Sequence, residues 1–133
     1  MSIPEAFADD FHRLVTEAIL HTNVGIFDWD LEADSIQHSA TLKTVLGYGD
    51  DEQPSKAWHE HIPESERYQA MHAMRESITN GKTKYDGVHR IIDHHGASRW
   101  VVVKASVLRD RKGEAKRFVG ALIDVTNLQK DRN

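Results

Sequence analysis

The last third of the chain constrains the fold most, because it reads as three strands joined by two tight turns. Strand-forming residues run from Lys84 to Thr126, with interruptions at residues 94–96 (His-His-Gly) and 110–113 (Asp-Arg-Lys-Gly). Interruptions this short, each ending in glycine, are typical of β-hairpins. Because consecutive hairpins make neighbouring strands antiparallel, this segment predicts three antiparallel strands.

Two further strands are predicted before the helices. Residues 24–39 read VGIFDWDLEADSIQHS, and Phe27, Trp29 and Leu31 alternate with acidic residues in the first half. That period of two is typical of a half-buried strand. An acidic turn at residues 32–34 leads into a short second strand. The five strands most simply form one sheet.

Helices fill the interval between the second and third strands. Residues 39–54 hold a short helix that stops at Gly47, and a longer helix ends at residues 80–81 (Asn-Gly). The fold class predicted is therefore α+β, a five-stranded antiparallel sheet with short helices on one face. The spacing places four residues along one side of the longer helix: Tyr68, Met71, Arg75 and Ile78.

Residues 1–22 are predicted to form an additional amphipathic helix, because apolar residues recur there at helical spacing. The stripe is wider than a small domain needs, and the fourth strand is apolar on nearly both faces after Trp100. The outer face of the sheet is therefore expected to be covered, either by this helix or by a second copy. We predict a homodimer with these interface residues: Phe7, Phe11, Leu14, Val15 and Ala18.

The chain ends soon after a second helix-start signal. Thr126 and Gln129 have the spacing of a capping box, directly after the fifth strand. Residues 127–133 are too few for an independent helix, since helices shorter than roughly 12–15 residues are marginal in water. We expect them to be the start of a C-terminal signalling helix, truncated from a longer protein. The alternative is a frayed tail.

Composition excludes several classes of function. The sequence contains no cysteine, which excludes disulfides, thiolate metal sites and cysteine chemistry. The net charge of −4, without a long basic run, gives no reason to expect nucleic acid or an anionic membrane as a partner. No apolar stretch approaches the roughly 18 residues of a membrane helix, and no signal-peptide pattern precedes residue 23. We expect a cytoplasmic domain.

Five short motifs follow one another in the order of the predicted elements. They are Gly25 to Asp30, Leu46-Gly47-Tyr48, Trp58 with Ile62-Pro63-Glu64, Gly96 to Trp100, and Asp124-Val125-Thr126. Together they resemble the motifs of PAS domains, which are common in bacterial sensor proteins, and the resemblance covers residues 23–126. Three departures from the family pattern affect local contacts only: Ile62 stands before Pro63 where the family often has His, with His61 displaced by one, and Ser65 and Val88 stand in place of acidic residues.

The resemblance implies a sensory role. PAS domains serve as input and dimerisation modules of larger signalling proteins, such as histidine kinases and diguanylate cyclases. Their closing Asp-x-Thr motif passes a structural change to the following helix, so it implies that Asp124 and Thr126 are signal-relay residues. The alternative is a protein–protein interaction module that binds no small molecule.

No cofactor can be assigned from the sequence, and none is expected to be tightly bound. The resemblance disfavours haem, because His72 lies two residues from the family's ligand position and hence on another helix face. It disfavours covalent flavin because the chain lacks cysteine. Gly87 and Gly120, inside strands, leave room for either a small ligand or a packed aromatic ring. Six residues are candidates for lining a pocket, although side chains of this kind more often belong simply to the core: Phe27, Trp29, Tyr48, Trp58, His89 and Trp100.

Catalysis and metal binding find little support. The carboxylates of Asp28 and Asp30 are paired, but strand alternation puts them on the side that normally faces solvent. The histidine pairs at 59/61 and 94/95 have no surrounding carboxylate cluster or cysteine. We therefore expect neither a catalytic site nor a metal site, and we expect a core His89 that is hydrogen-bonded to a neighbour.

Overall fold

The structure is a computed structural model that describes residues 24–126, and the five-stranded antiparallel sheet predicted from the sequence is confirmed. The strand order is β2-β1-β5-β4-β3, so β2 and β3 form the two edges. The predicted helix at 1–22, with its interface residues, and residues 127–133 lie outside the described residues. The strands are β1 (Val24–Asp30), β2 (Ser35–His38), β3 (Lys84–Ile92), β4 (Ser98–Arg109) and β5 (Ala115–Asp124).

Both turns of the C-terminal meander have the geometry that their glycines predict. Gly96 and Gly113 adopt φ values of 89° and 85°. This left-handed region is accessible to glycine without steric cost, which explains why both turns close on a glycine. Asp93 and Asp110 begin the two turns, and their carboxylates accept hydrogen bonds from backbone amides within them.

Three helical elements cover the inner face of the sheet. They are α1 (Ala40–Val45), a 3₁₀ turn (Trp58–His61) and α2 (Glu64–Thr79). Ser39 caps α1, because its hydroxyl accepts the N–H of Leu42 at 3.2 Å, and it also accepts the N–H of Ile26 in β1. No helix within residues 24–126 is long and apolar enough to cross a membrane.

The core lies between the sheet and these helices. A Cβ built on Gly25 would stand 2.6 Å from the Cβ of Leu42, so α1 packs directly on the backbone of β1. The largest fully buried side chains are Trp58, Phe27, Phe118, Leu42, Leu46, Ile62, Met74, Ile91, Leu122, Val101 and Val103.

The inward side of α2 differs from the predicted one. Its buried residues are Ala70, Met74 and Ser77, whereas Tyr68 is 80% exposed. Two of the three buried side chains are small, so the helix can pack closely without a broad apolar stripe. Its partly buried apolar residues Met71 and Ile78, both on the predicted side, pack at the margin of the core.

Candidate functional site

Two of the predicted pocket residues meet in the interior. The rings of Phe27 and Trp58 are both almost fully buried, with centroids 5.2 Å apart. Phe118 from β5 packs against Phe27 at 5.8 Å and against Tyr85 at 6.0 Å. All three contacts are tilted, and their centroid separations are usual for aromatic packing. The centre of the candidate pocket is therefore occupied by the protein's own rings.

Gly87 is the place where the interior becomes polar. The Tyr85 hydroxyl and the Nε2 of His89 are 2.7 Å apart across it, and their rings are stacked. A Cβ on Gly87 would stand 2.4 Å from the tyrosine oxygen, so the room left by this glycine is taken by the Tyr85–His89 pair. The prediction of a hydrogen-bonded His89 is confirmed.

Burial shifts the titration of this pair in opposite directions. It lowers the pKa of His89 and raises the pKa of Tyr85, since both side chains are less able to carry charge away from water. The indole Nε1 of Trp58, which is buried beside His89, has no hydrogen-bond partner within residues 24–126. This part of the interior thus holds the neutral Tyr85–His89 pair beside the unsatisfied Trp58 donor.

Trp29 and Tyr48 also belong to the packed interior: Trp29 meets Phe118 edge-on with centroids 6.3 Å apart, and Tyr48 is buried in the core. Trp29 is half-buried, stacks on His59 at 5.4 Å and donates its indole N–H to Asp34. The Tyr48 hydroxyl lies 3.0 Å from the Nε2 of His61. These two side chains also line two separate open clefts, of about 310 Å³ beside Trp29 and about 230 Å³ beside Tyr48.

Trp100 is a correction to the predicted pocket. Its neighbour Val101 is fully buried on the inner face, so strand alternation places Trp100 on the outer face, opposite Arg90 of β3. It lines an open cleft of about 280 Å³ beside α2. The sequence could not reveal this, because β4 is apolar on both faces here and its pattern has no period of two.

Two histidines, His61 and His38, are held in place by hydrogen bonds to the backbone. Nδ1 of His61 contacts the carbonyl oxygen of Ile92 at 2.8 Å, and Nε2 of His38 accepts the N–H of Trp58 at 3.1 Å. His72, by contrast, lies on the exposed side of α2 beside Glu76. No group of three or more metal-ligating side chains is positioned to hold an ion among residues 24–126.

The two predicted relay residues lie together where β5 ends. The Asp124 carboxylate accepts the backbone N–H of Thr126 at 2.9 Å and the Thr126 hydroxyl at 2.6 Å. The same hydroxyl oxygen accepts the N–H of Trp100 at 3.0 Å. Thr126 is therefore bonded sideways to β4, and any bond from it toward Gln129 lies outside the described residues.

Arg99 extends this corner to the β3–β4 turn. Its Nε donates to Asp93 and its Nη1 donates to Asp124, each at 2.9 Å. Burial alone would raise the pKa of Asp93, but hydrogen bonds from Arg99 and from the amides of Ala97 and His95 lower it overall. Burial likewise opposes the Thr126 and Arg99 hydrogen bonds that lower the pKa of Asp124.

Asp93 and Arg99 were not singled out from the sequence. Arg99 belongs to the Gly-x-x-Arg-Trp motif, which was a usable signal. Asp93 gave none, because an aspartate before a hairpin turn is common and its burial depends on tertiary packing. We define Asp93, Arg99, Asp124 and Thr126 as the relay corner.

The paired carboxylates on β1 have a structural partner. Both oxygens of Asp28 accept hydrogen bonds from Arg117 of β5, at 2.9 and 2.8 Å, and Asp30 lies within 3.9 Å of the same guanidinium. The cross-strand guanidinium therefore pairs with Asp28 and lies close to Asp30 on the outer face.

Comparison with known proteins places this geometry in a family. A family model described as the PAS fold matches residues 35–122. The sensor protein FixL of Bradyrhizobium diazoefficiens is 24% identical over 102 residues, covering 77% of this chain and 20% of that protein. The chain thus spans about one fifth of the length of this curated relative.

Solved structures agree. The sensory box histidine kinase/response regulator from Burkholderia thailandensis E264 is 27% identical, with a TM-score of 0.75 over 89% of this chain and 88% of that one. The N-terminal domain of a diguanylate cyclase with PAS/PAC sensor from Marinobacter aquaeolei is 13% identical, with a TM-score of 0.69 over 80% and 98% of the two chains. Since the family model matches more than half of the sequence, this chain belongs to the PAS fold family, as its motifs predicted.

Proposed function

We propose that this chain is a sensory input domain of a larger cytoplasmic signalling protein, of the histidine kinase or diguanylate cyclase type. The relay corner carries the proposal, because it is the point where the sheet is bonded to the residues that lead into the C-terminal segment. One guanidinium, that of Arg99, connects the β3–β4 turn to the end of β5. A displacement of either strand end therefore changes the contacts of Thr126.

The corner is suited to transmit strain rather than to bind a ligand. The Asp93 side chain is 2% exposed and the Asp124 side chain 14%, and their inward oxygens are already bonded. Charge-assisted hydrogen bonds of this kind hold their geometry more tightly than neutral ones. A movement of the sheet therefore displaces the backbone of Thr126 directly, because these bonds keep their geometry.

The test is a fusion in which residues 1–133 replace the sensory box of a histidine kinase, with autophosphorylation as the readout. Thr126→Ala and Asp124→Ala should change the basal or stimulated activity, while Thr126→Ser, which keeps the hydroxyl, should restore it. Thr79→Ala is the matched control, since Thr79 also makes a hydrogen bond but lies at the far end of α2. Unchanged signalling in both alanine variants, with normal melting curves, would refute the relay.

Homodimerisation through residues 1–22 is the second part of the proposal. Support comes from the outer face of the sheet, where apolar side chains lie between the charged margins. Association of this face with the apolar stripe would remove that area from water, at about 25 cal/mol per Å². Deleting residues 1–20 should remove this interface, and light scattering should detect the loss as a lower mass per particle. The outer-face side chains are Val24, Ile26, Val102, Val119, Ala121 and Ile123.

The competing function is an interaction module without a small ligand. The filled interior favours it, because a ligand would have to displace the Tyr85–His89 pair or the Phe27 and Trp58 rings. The unsatisfied Trp58 indole favours a small polar ligand instead. Native mass spectrometry separates the two, since it reports retained ligand and dimer mass together.

We expect neither a Soret band nor a flavin spectrum after purification from a heterologous host; a Soret band that disappears in His72→Ala would overturn this.

A further inference from the structure

The free edge of β3 has a regular pattern of outward-pointing backbone groups. The N–H of Asp93 bonds to Ala97, and the carbonyl of Thr83 accepts from Val107, so odd-numbered residues direct their backbone toward β4. The backbone N–H and C=O groups of the even-numbered residues therefore point outward from the free edge. The Ile92 carbonyl, which is bonded to His61, is an example. Within residues 24–126, the backbone groups of the four outward residues before Ile92 have no partner on that edge: Lys84, Asp86, Val88 and Arg90.

The side chains of these outward residues form a self-complementary series. Val88 is 60% exposed, which makes it one of the most exposed large apolar residues in the described chain. Asp86 precedes it by two positions and Arg90 follows it by two. If β3 met an antiparallel copy of itself with Val88 opposite Val88, each Asp86 would stand opposite an Arg90. Charged residues usually protect an edge strand from pairing, but here self-pairing brings opposite charges together.

We propose that β3 is a docking edge for β3 of a second copy, with the two-fold axis passing between the two Val88 residues. The outward groups then form a ladder of reciprocal hydrogen bonds, and the two sheets become one ten-stranded sheet. A one-residue slip would set outward backbone groups opposite inward-bonded residues, so hydrogen bonding excludes it. A two-residue slip would place Asp86 opposite Val88 or Ile92, so the Asp86–Arg90 charges select the register.

The surroundings of the edge leave space for this strand. An open cleft of about 280 Å³ separates α2 from β3, and Gln69 and Ala73, the exposed helix residues that line it, are uncharged. Arg90 donates to Glu66 at 2.9 Å and Asp86 accepts from Lys104 at 3.2 Å. The Asp86–Lys104 pair is solvent-exposed and the Arg90–Glu66 pair is partly exposed, so both are weak and can be shared with a partner. The proposed contacts are made by β3 itself.

Disulfide cross-linking tests this interface, because the sequence contains no cysteine that could form a competing disulfide. Val88→Cys introduces the single thiol of the chain, and opposed residues of a hydrogen-bonded antiparallel pair have Cα atoms about 5.5 Å apart, within disulfide range. Under mild oxidation, full-length Val88→Cys should form a covalent dimer at least about tenfold more than Asp86→Cys. In this register the two copies of position 86 are roughly 14 Å apart, which excludes a disulfide.

A charge exchange tests the register. In the Val88→Cys background, Asp86→Arg should reduce cross-linking by about tenfold, because arginine would face Arg90 of the other copy twice per dimer. Adding Arg90→Asp should restore it, although the arginine at position 86 still faces Lys104 of its own chain. Circular dichroism checks that each variant is folded. Equal cross-linking of Val88→Cys and Asp86→Cys, or no recovery in the exchanged variant, would overturn the proposal.

Discussion

His38 illustrates how a single titratable side chain links two elements of the domain. Its Nε2 accepts the backbone N–H of Trp58, which joins β2 to the 3₁₀ turn. Only the neutral imidazole can accept this bond. Burial lowers the pKa of His38 to about 4, with smaller contributions from His59, His61 and Lys43. The folded state therefore resists a proton that the unfolded chain takes up near pH 6.5.

This shift predicts a loss of stability in mild acid. Between pH 6.5 and about 4 the unfolded state binds more protons at His38 than the folded state, so the free energy of unfolding falls as the pH falls. His38→Gln, which offers an acceptor that does not titrate, should lose roughly 1–2 kcal/mol less over this range, after allowance for solvent screening. Urea unfolding at several pH values measures this, with His72→Gln as the exposed control. Parallel curves for His38→Gln and the natural protein would contradict it.

Gly87 gives a second prediction at the scale of one residue. Gly87→Ala would place a methyl group 2.4 Å from the Tyr85 hydroxyl and 2.7 Å from Nε2 of His89. Overpacking of this kind typically costs about 1–3 kcal/mol. The cost should be smaller in a Tyr85→Phe background, because the closest atom is then missing. A double-mutant cycle in denaturant measures the coupling. Strictly additive effects would show that the pair does not occupy the space above Gly87.

At the scale of elements, Arg99 holds the ends of three strands together. It pairs with Asp93 after β3 and with Asp124 at the end of β5, while Trp100, beside it in β4, donates to Thr126. Both carboxylates have pKa values below the ordinary range, so their contribution to stability is present at neutral pH and is lost as the pH falls through the folded pKa.

Arg99→Gln should therefore raise both carboxyl pKa values and shift acid unfolding to higher pH. At pH 7 we expect a loss of about 2–3 kcal/mol, since hydrogen bonds to charged groups are worth about 1.5–3 kcal/mol each and the guanidinium is partly exposed. Arg99→Lys keeps the charge but loses the planar fork, so it should be intermediate. Fluorescence-monitored unfolding from pH 2 to 8 measures both effects. An unchanged acid limb would mean that Arg99 is not the group that lowers these pKa values.

The elements also show what a single sequence can and cannot predict. The strands from Lys84 onward were predictable because both turns need a left-handed residue and supply glycine there. The buried side of α2 was not, because Ala70 and Ser77 are too small to mark a core face by their hydropathy. The polar interior was half predictable: His89 was expected to have a partner, but Tyr85 as that partner follows only from the space above Gly87.

At the scale of the whole molecule, two self-complementary surfaces have been proposed. One is the outer sheet face with residues 1–22, and the other is the free edge of β3. The first lies across the face and the second at one margin, with β4 and β5 between that margin and β1. A single two-fold interface closes a dimer, whereas two different ones on one chain link copies into larger assemblies. The size distribution therefore reports how many of the two surfaces operate.

We predict that the full-length chain forms species larger than a dimer as its concentration rises. Asp86→Arg should limit assembly to the dimer joined through residues 1–22, because it places like charges opposite each other along β3. Deletion of residues 1–20 should limit it to the dimer joined through β3, and the two changes together should give a monomer. Sedimentation equilibrium over a wide concentration range measures all four proteins. A full-length chain that remains a dimer throughout would show that only one surface operates, and the single change that yields a monomer would identify which.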